Sequence, residues 1–332
     1  MADLSARREQ LGDRGQVMLI AGFVLATAFI ALALVLNSVI YTENLATRDT
    51  EARGSEAATY RADVADGAEA LIEYANGNIT VGGESYADIR DDFQESLRAM
   101  SNGTGRIQAT DGERTAVRLA ATTSGTRIGQ FNDSDRDFTS DDDETTWRLA
   151  RDVSGTRAYR INVTDSGLLP DAGSLADVVG DSFTLNVTDG TDKWNVSIYQ
   201  ADTTTETVVD VNGDAGGECV GSEDAEIDLT AGTVDSEPCE ALLADGGTPF
   251  GSGVDDPYEL YYDNADQMVG NFSAVLNASK SDVDLDANYD QSTTATPFAV
   301  EAIYAAKVTV IHESADLVYT TDVRAIPGEI DD

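Results

Sequence analysis

Positive charge is scarce in this chain of 332 residues. Lysine and arginine together number 21 against 61 aspartates and glutamates, which gives a formal net charge of −40. A surface this acidic repels phosphate, so a nucleic-acid partner is excluded. Carboxylates hold water well where salt screens charge within about 3 Å at 1 M. The composition therefore predicts a halophilic protein, and an ordinary acidic secreted protein is the alternative.

Residues that carry chemistry are also few. The sequence has one histidine, His312, and two cysteines, so it offers no histidine and cysteine cluster for a metal. It has no nucleophile elbow, phosphate-binding loop or dinucleotide fingerprint. We therefore predict that the protein is not an enzyme and that His312 lies in a turn between the last two strands. The isolated pair Cys219 and Cys239 predicts a disulfide, with two free thiols as the alternative.

Only one long apolar run occurs, Val17–Leu36, which excludes a polytopic transporter. Its 20 residues carry no charge, and a helix of that length covers about 30 Å, the hydrocarbon thickness of a bilayer. The run predicts a transmembrane helix with the lipid bilayer as its partner. Arginines in the leader weakly favour a cytoplasmic N-terminus. The expected location is the cell membrane, single-pass, with an extracellular C-terminal domain.

Acceptor sites for N-glycosylation are frequent and all follow this run. Eight of the 14 asparagines begin an Asn-x-Ser/Thr triplet, a pattern that becomes a surface glycan only in an exported domain. Chance in a threonine-rich chain is the alternative. The predicted sites are Asn78, Asn102, Asn132, Asn162, Asn186, Asn195, Asn271 and Asn277.

The segment Asp13-Arg14-Gly15-Gln16, followed at once by the apolar run, resembles a class III (prepilin-type) signal. With the acidic composition and the stretch Asn37–Arg48, the chain looks like the type IV pilin-like surface proteins of haloarchaea. The resemblance implies cleavage between Gly15 and Gln16 by a prepilin peptidase, followed by packing with other pilin-like subunits. Ile20 stands where many bacterial pilins carry a glutamate, so the resemblance implies cleavage more strongly than entry into a filament. An uncleaved signal anchor is the alternative.

The fold class predicted from periodicity is α+β. An N-terminal transmembrane and stalk helix, with a short second helix, would precede a mostly antiparallel β-sandwich-like extracellular domain. The second helix has apolar residues from Tyr86 to Met100, a capping box at Ser85 and Asp88, and an expected end at Asn102-Gly103. The domains would be a cytoplasmic leader at 1–15, the transmembrane helix at 16–40, a helical stalk at 41–104 and the β-rich domain at 105–332.

Alternating apolar and polar residues predict strands joined as hairpins. The expected pairs are 146–153 with 157–163, 183–187 with 194–199, 258–262 with 271–276, and 299–311 with 317–325. The acidic, glycine-rich segments 132–144 and 213–237 are predicted to be solvated, mobile loops.

One acidic segment has the spacing of an EF-hand-like calcium loop. Phe138 occupies position six, where such a loop needs glycine for its sharp turn. The segment is thus either a calcium site or a solvated acidic loop, and no other cofactor is expected. The oxygen-bearing residues at alternating positions are Asp133, Asp135, Asp137, Thr139, Asp141 and Glu144.

Taken together, these features predict a pilin-like, membrane-anchored structural protein of the cell surface: a minor pilin, an adhesion element or a pilus-assembly subunit. The alternative is a single-pass, signal-anchored envelope protein that binds a ligand or cation and does not enter a filament. An exported enzyme is the third reading.

Overall fold

The computed structural model describes Phe29 and residues 55–78, 85–131, 136–165, 169–170, 180–201, 204–212, 217–243, 250–283, 288–290, 292–315 and 317–328. The chain divides into two compact units, residues 1–60 with 313–319 and residues 61–312 with 320–332. Nearly all of the described secondary structure belongs to the second unit.

Helices come first along the described chain, and antiparallel strands follow. The helices are α1 (residues 55–77), α2 (Tyr86–Gln108) and α3 (Lys280–Val283), with short 3₁₀ turns at Ala109–Asp111 and Ala265–Gln267. The strands are β1 (Arg114–Gln130), β2 (Trp147–Val153), β3 (Thr156–Val163), β4 (Phe183–Thr188), β5 (Lys193–Gln200), β6 (Thr207–Val211), β7 (Glu218–Gly221), β8 (Glu226–Asp228), β9 (Thr233–Val234), β10 (Glu237–Pro238), β11 (Tyr258–Asp263), β12 (Gly270–Leu276), β13 (Phe298–Glu313) and β14 (Val318–Ala325).

The start of α2 follows the sequence pattern closely. The Ser85 hydroxyl accepts from the Asp88 backbone N–H, and the Asp88 carboxylate accepts from the Ser85 N–H, so the predicted capping box is confirmed. The apolar stripe of the helix buries Ile89, Phe93 and Leu97, because residues three and four apart share one face of a helix.

The end of α2 was predicted wrongly. The helix continues past Asn102-Gly103 to Gln108. At Gly105 an added Cβ would lie 3.4 Å from the backbone oxygen of Thr115 on β1. That distance is an ordinary van der Waals contact, so Gly105 lies inside the helix where it contacts β1 and does not end it.

The strands form two sheets whose inward side chains build one core. The eight-stranded sheet has the order β10-β9-β8-β3-β12-β1-β13-β14, and the six-stranded sheet has the order β2-β11-β4-β5-β6-β7. Buried residues of the first sheet, such as Ile128 and Phe272, belong to the same apolar cluster as Leu149 and Val196 of the second. This is the packing of a β-sandwich, in which each sheet needs the other to cover its apolar face.

Two of the predicted hairpins are wrong, although their strands exist. Strands β2 and β3 belong to different sheets, and so do β11 and β12. The chain crosses between sheets at Ser154-Gly155, where a Cβ on Gly155 would lie 2.5 Å from the Tyr304 hydroxyl. The two remaining predictions hold: β4 pairs with β5, and β13 neighbours β14.

Several strands were not predicted. The long strand β1 is central in the eight-stranded sheet, between β12 and β13. Strands β7 to β10 lie within residues 213–237 or just after them, a segment predicted to be a loop. These strands have two to four residues each, which is too short for an alternating pattern to be recognised.

The predicted fold class and membrane location need correction. The described residues are mostly antiparallel β, and the long helices among them lie between residues 55 and 108. The described residues contain no helix that is both long enough and apolar enough to cross a bilayer. The expected single-pass membrane anchor is therefore not supported. Apart from Phe29, the apolar run Val17–Leu36 lies outside the described residues.

A hydrogen bond between two tyrosines joins the sheets through the core. The hydroxyls of Tyr159 on β3 and Tyr262 on β11 lie 2.7 Å apart, and both side chains are fully buried. Burial raises the pKa of each phenol well above its usual range. Both hydroxyls therefore stay protonated, and one donates to the other.

We expect Tyr262→Phe to lower the free energy of unfolding by about 1–3 kcal/mol, because the buried Tyr159 hydroxyl loses its partner. The double variant with Tyr159→Phe should lose less than the sum of the two single changes. Urea unfolding in molar salt measures both quantities. Tyr74→Phe, on an exposed side chain, is the control, and additive losses would contradict the coupling.

Candidate functional site

The outward face of the six-stranded sheet is polar at its centre. On the hairpin of β4 and β5, Asn186 lies directly opposite Asn195, and Thr184 lies opposite Ser197. Tyr261 on β11 is the partner of Asn186 on its other side. Side chains of direct cross-strand partners share a face with Cβ atoms about 5 Å apart. Two amides are thus placed side by side, with an aromatic ring on the same face.

A pocket of about 250 Å³ lies over this face. Several of its lining side chains are exposed, so it opens to solvent, while its floor is buried. The lining residues are Thr146, Gly180, Thr184, Asn186, Lys193, Asn195, Ser197, Asn212, Asp263 and Asn264.

The two central asparagines each keep one amide oxygen without a hydrogen-bond partner. The Asn186 Nδ2 donates to Asp263 Oδ2 at 3.0 Å. Because a carboxylate oxygen only accepts, this bond fixes the orientation of the amide. The Asn186 Oδ1 is left unpaired although the residue is only 1% exposed, and the buried Asn195 Oδ1 is unpaired as well. Unpaired buried acceptors are costly and uncommon in native proteins.

Other polar groups of the lining are already engaged. The hydroxyls of Thr184 and Ser197 lie 3.0 Å apart and bond to each other. The Asn212 Oδ1 accepts from the Asn195 backbone N–H at 2.9 Å. Asn264 donates to the backbone oxygen of Ser182 at 2.9 Å. The unpaired floor atoms are therefore acceptors, and a ligand of this pocket has to supply donors.

Lys193 and Asp263 are the two charged residues of the lining, and their charges cancel. The Lys193 Nζ lies 5.5 Å from the centroid of the Tyr261 ring, within the range of a cation–π interaction. The lining contains no histidine, no cysteine and no serine paired with a base. This arrangement can bind and orient a molecule, and it lacks a nucleophile with its activating base.

Comparison with protein families gives a match to part of the chain. Residues 11–145 are similar to a family described as a family of unknown function (DUF7261). No curated protein and no solved structure matches the chain. The matched part is less than half of the chain, and it ends immediately before Thr146. Every lining residue of the pocket therefore lies outside the similarity.

The predicted glycosylation sites differ in exposure. Asn78, Asn102 and Asn162 are exposed, whereas Asn186 is buried in the floor of the pocket, which argues against a glycan there in the folded protein. Asn132 lies outside the described residues. The three others are partly exposed, and their occupancy stays a prediction: Asn195, Asn271 and Asn277.

The two cysteines that were expected to pair are joined by a disulfide. Cys219 lies on β7, the edge strand of the six-stranded sheet. Cys239 follows β10, the edge strand of the eight-stranded sheet. At the same edge, a Cβ on Gly221 would lie 2.7 Å from Val234, so glycine permits the close approach. The covalent link thus holds the two sheets together where they meet.

The acidic segment is only partly described. Asp133 and Asp135 lie outside the described residues. The side chain of Phe138 is fully buried, and its ring lies 5.1 Å from that of Phe272 and 5.4 Å from that of Phe183. An EF-hand loop turns at glycine in this position, and here the position fills the core instead.

Two local hydrogen bonds shape the described part of that segment. The Asp137 carboxylate accepts from the Thr139 hydroxyl at 2.6 Å, and the Glu144 backbone N–H donates to the Ser140 hydroxyl at 3.0 Å. Partial burial, followed by the charge of Asp290, raises the pKa of Asp141. Within the described ranges, no group of three or more histidine, cysteine, aspartate or glutamate residues is arranged to hold a metal. The calcium site stays a prediction.

The prediction that His312 lies in a turn is wrong. Strand β13 extends to Glu313, so His312 is a strand residue with 1% exposure. Its Nε2 lies 3.1 Å from Glu113 Oε2. The buried His312 side chain contacts Glu113 and is not among the residues that line the pocket. Gly15 and Gln16, the predicted processing site, lie outside the described residues.

The pocket itself was missed by sequence reasoning. The signal that was available is the pair of Asn-Val-Thr/Ser triplets on either side of the turn at Asp189-Gly190. In a hairpin around that turn, the two asparagines fall opposite each other. They were read only as glycan acceptors.

The turn that aligns these asparagines depends on Asp189. Its Oδ1 accepts the backbone N–H groups of Thr191 at 2.7 Å and Asp192 at 2.8 Å. Its Oδ2 accepts from the Asp255 backbone N–H at 3.1 Å. These donors, that of Asp192 first, lower the pKa of Asp189. A carboxylate whose pKa is lowered in the folded state stabilises it above the unfolded pKa, and the contribution is lost as pH falls through the folded pKa.

We therefore expect Asp189→Asn to be less stable than wild type at neutral pH, with the difference shrinking below about pH 4, near the unfolded pKa of aspartate. Thermal unfolding of both proteins between pH 7 and pH 3 measures it. Asp192→Asn is the matched control, since the Asp192 side chain accepts none of these bonds. A stability difference that stays constant with pH would contradict the role of the carboxylate.

Proposed function

We propose that this chain is a structural protein of the cell surface, adapted to high salt, and not an enzyme. In this proposal it is a pilin-like subunit that acts as a minor pilin, an adhesion element or an assembly factor. The resemblance of Asp13–Gln16 and the following apolar run to a prepilin signal supports the proposal.

The observation that carries the proposal is the disulfide between Cys219 and Cys239 at the edge shared by the two sheets. Disulfides persist outside the reducing cytoplasm, so a sandwich held closed in this way suits an exported domain. The net charge of −40 suits a domain that faces concentrated salt, where carboxylates keep a surface hydrated and repulsion is screened.

A second candidate function is ligand binding by an envelope protein outside any filament. The pocket over Asn186 and Asn195 favours this function, because two buried amide oxygens in it have no hydrogen-bond donor. The two functions are compatible, since an adhesion element also needs a recognition site.

We expect Cys219 and Cys239 to be oxidised in intact cells and the disulfide to stabilise the fold. In the chain-entropy model, closing a loop with a sequence separation of 20 contributes about 3 kcal/mol. Alkylation of intact cells before lysis, with mass analysis of the Cys219 and Cys239 peptides, tests the first point. Unfolding of the double variant Cys219→Ser, Cys239→Ser tests the second. Alkylated thiols in untreated cells would contradict export.

We expect the native protein to begin at Gln16, because a prepilin-type signal is cleaved after its glycine. Mass spectrometry of the N-terminal peptide from native cells measures this directly. Gly15→Val should block the cleavage and leave the leader in place, whereas Gly12→Val, a glycine elsewhere in the leader, should not. A native chain that still carries residues 1–15 would contradict the pilin-like assignment.

A further inference from the structure

We propose that the pocket on the six-stranded sheet is a binding site for a neutral saccharide. The unpaired oxygens of Asn186 and Asn195 would accept hydroxyl groups of one sugar ring. This inference rests on the proposed surface function for its role, and on the geometry and charge of the pocket for its ligand class.

The hydrogen-bonding state of the floor defines what the ligand must offer. The Asn186 Oδ1 and Asn195 Oδ1 are buried without partners and lie on directly paired residues of β4 and β5. A buried acceptor without a partner is unfavourable in the unliganded protein, and a donor on a bound ligand removes that cost. A ligand with two adjacent hydroxyl groups meets both acceptors at once, and a sugar ring carries such neighbouring hydroxyls.

The charge of the pocket favours a neutral ligand. The charges of Lys193 and Asp263 are opposite and sum to zero within the lining, so the pocket offers no net charge to an ionic ligand. A bare cation would need several oxygens converging on it. The single carboxylate of the lining, Asp263, already accepts from the Asn186 Nδ2 at 3.0 Å, and the hydroxyls of Thr184 and Ser197 bond to each other.

Size and surface also fit one sugar ring. A volume of about 250 Å³ corresponds to roughly eight water molecules at about 30 Å³ each. That is below the range of pockets for drug-sized ligands, about 300–1,000 Å³. Tyr261, on the same face as Asn186, lies partly exposed beside the pocket, and the Lys193 Nζ lies 5.5 Å from the centroid of its ring. The Lys193 ammonium lines the pocket and can donate to a further hydroxyl oxygen of the sugar.

The test uses the full-length, disulfide-bonded protein in molar potassium chloride. The probes are the methyl glycosides of glucose, mannose, galactose and N-acetylglucosamine, and the readout is saturation-transfer NMR followed by titration. We expect saturable binding of at least one probe. Asn195→Ala should weaken that binding about five- to tenfold, which corresponds to the loss of one hydrogen bond.

Two further variants separate the acceptor role from glycosylation and from folding. Asn195→Asp removes the glycan acceptor but keeps an acceptor oxygen at the same position, so it should retain more binding than Asn195→Ala. Asn162→Ala removes an exposed asparagine that also begins a glycosylation triplet, on the other sheet, and it should not affect binding.

The proposal is overturned if none of the four glycosides saturates, or if Asn195→Ala binds as tightly as wild type. It is equally overturned if Asn162→Ala weakens binding as much as Asn195→Ala does. None of these results bears on the native N-terminus or on the oxidation of Cys219 and Cys239. The proposed ligand class and the proposed surface function can therefore be contradicted independently of each other.

Discussion

The sandwich depends on keeping its polar atoms paired inside an aromatic interior. Tyr159 and Tyr262 lie on opposite sheets, and their hydroxyls share one hydrogen bond of 2.7 Å in the core. The Trp147 Nε1 donates to the Phe138 backbone oxygen at 2.8 Å, so the indole lies in the core without an orphaned N–H. Bulky rings fill the space between the sheets, and the apolar faces can close on each other only because the polar atoms they bring have partners inside.

Local patterns predicted individual elements better than their pairing. The capping box of α2 and the hairpin of β4 and β5 depend on neighbouring residues, and both were predicted correctly. A strand followed by a tight turn and another strand has the same pattern whether the chain folds back or crosses to the opposite sheet. For that reason Ser154-Gly155 was read as a hairpin turn, although it joins two sheets. Contacts with Tyr304 and Asn277 decide the outcome there, and both are distant in sequence.

The frequency of glycosylation triplets has a structural component. A strand with one face turned outward carries polar residues at every second position, and asparagine followed two residues later by threonine or serine is one product of that alternation. Asn186 and Asn195 illustrate it, as do Asn162 and Asn271, which are also direct cross-strand partners. The candidate site could not be predicted from the sequence, because this alternation does not show which outward asparagine is buried. Burial of the Asn186 amide depends on how the sheet is covered.

The two crossings between sheets have a consequence for how the protein reaches its fold. Because β2 and β3 part into opposite sheets, as do β11 and β12, neither sheet can form from a continuous stretch of chain. The central strand β1 pairs with β12, with Thr126 opposite Leu276, and so must wait for residues about 150 positions later. Topologies dominated by such distant pairings fold in milliseconds to seconds, not in microseconds. The sandwich can therefore close only when the last strands of the chain are available to pair.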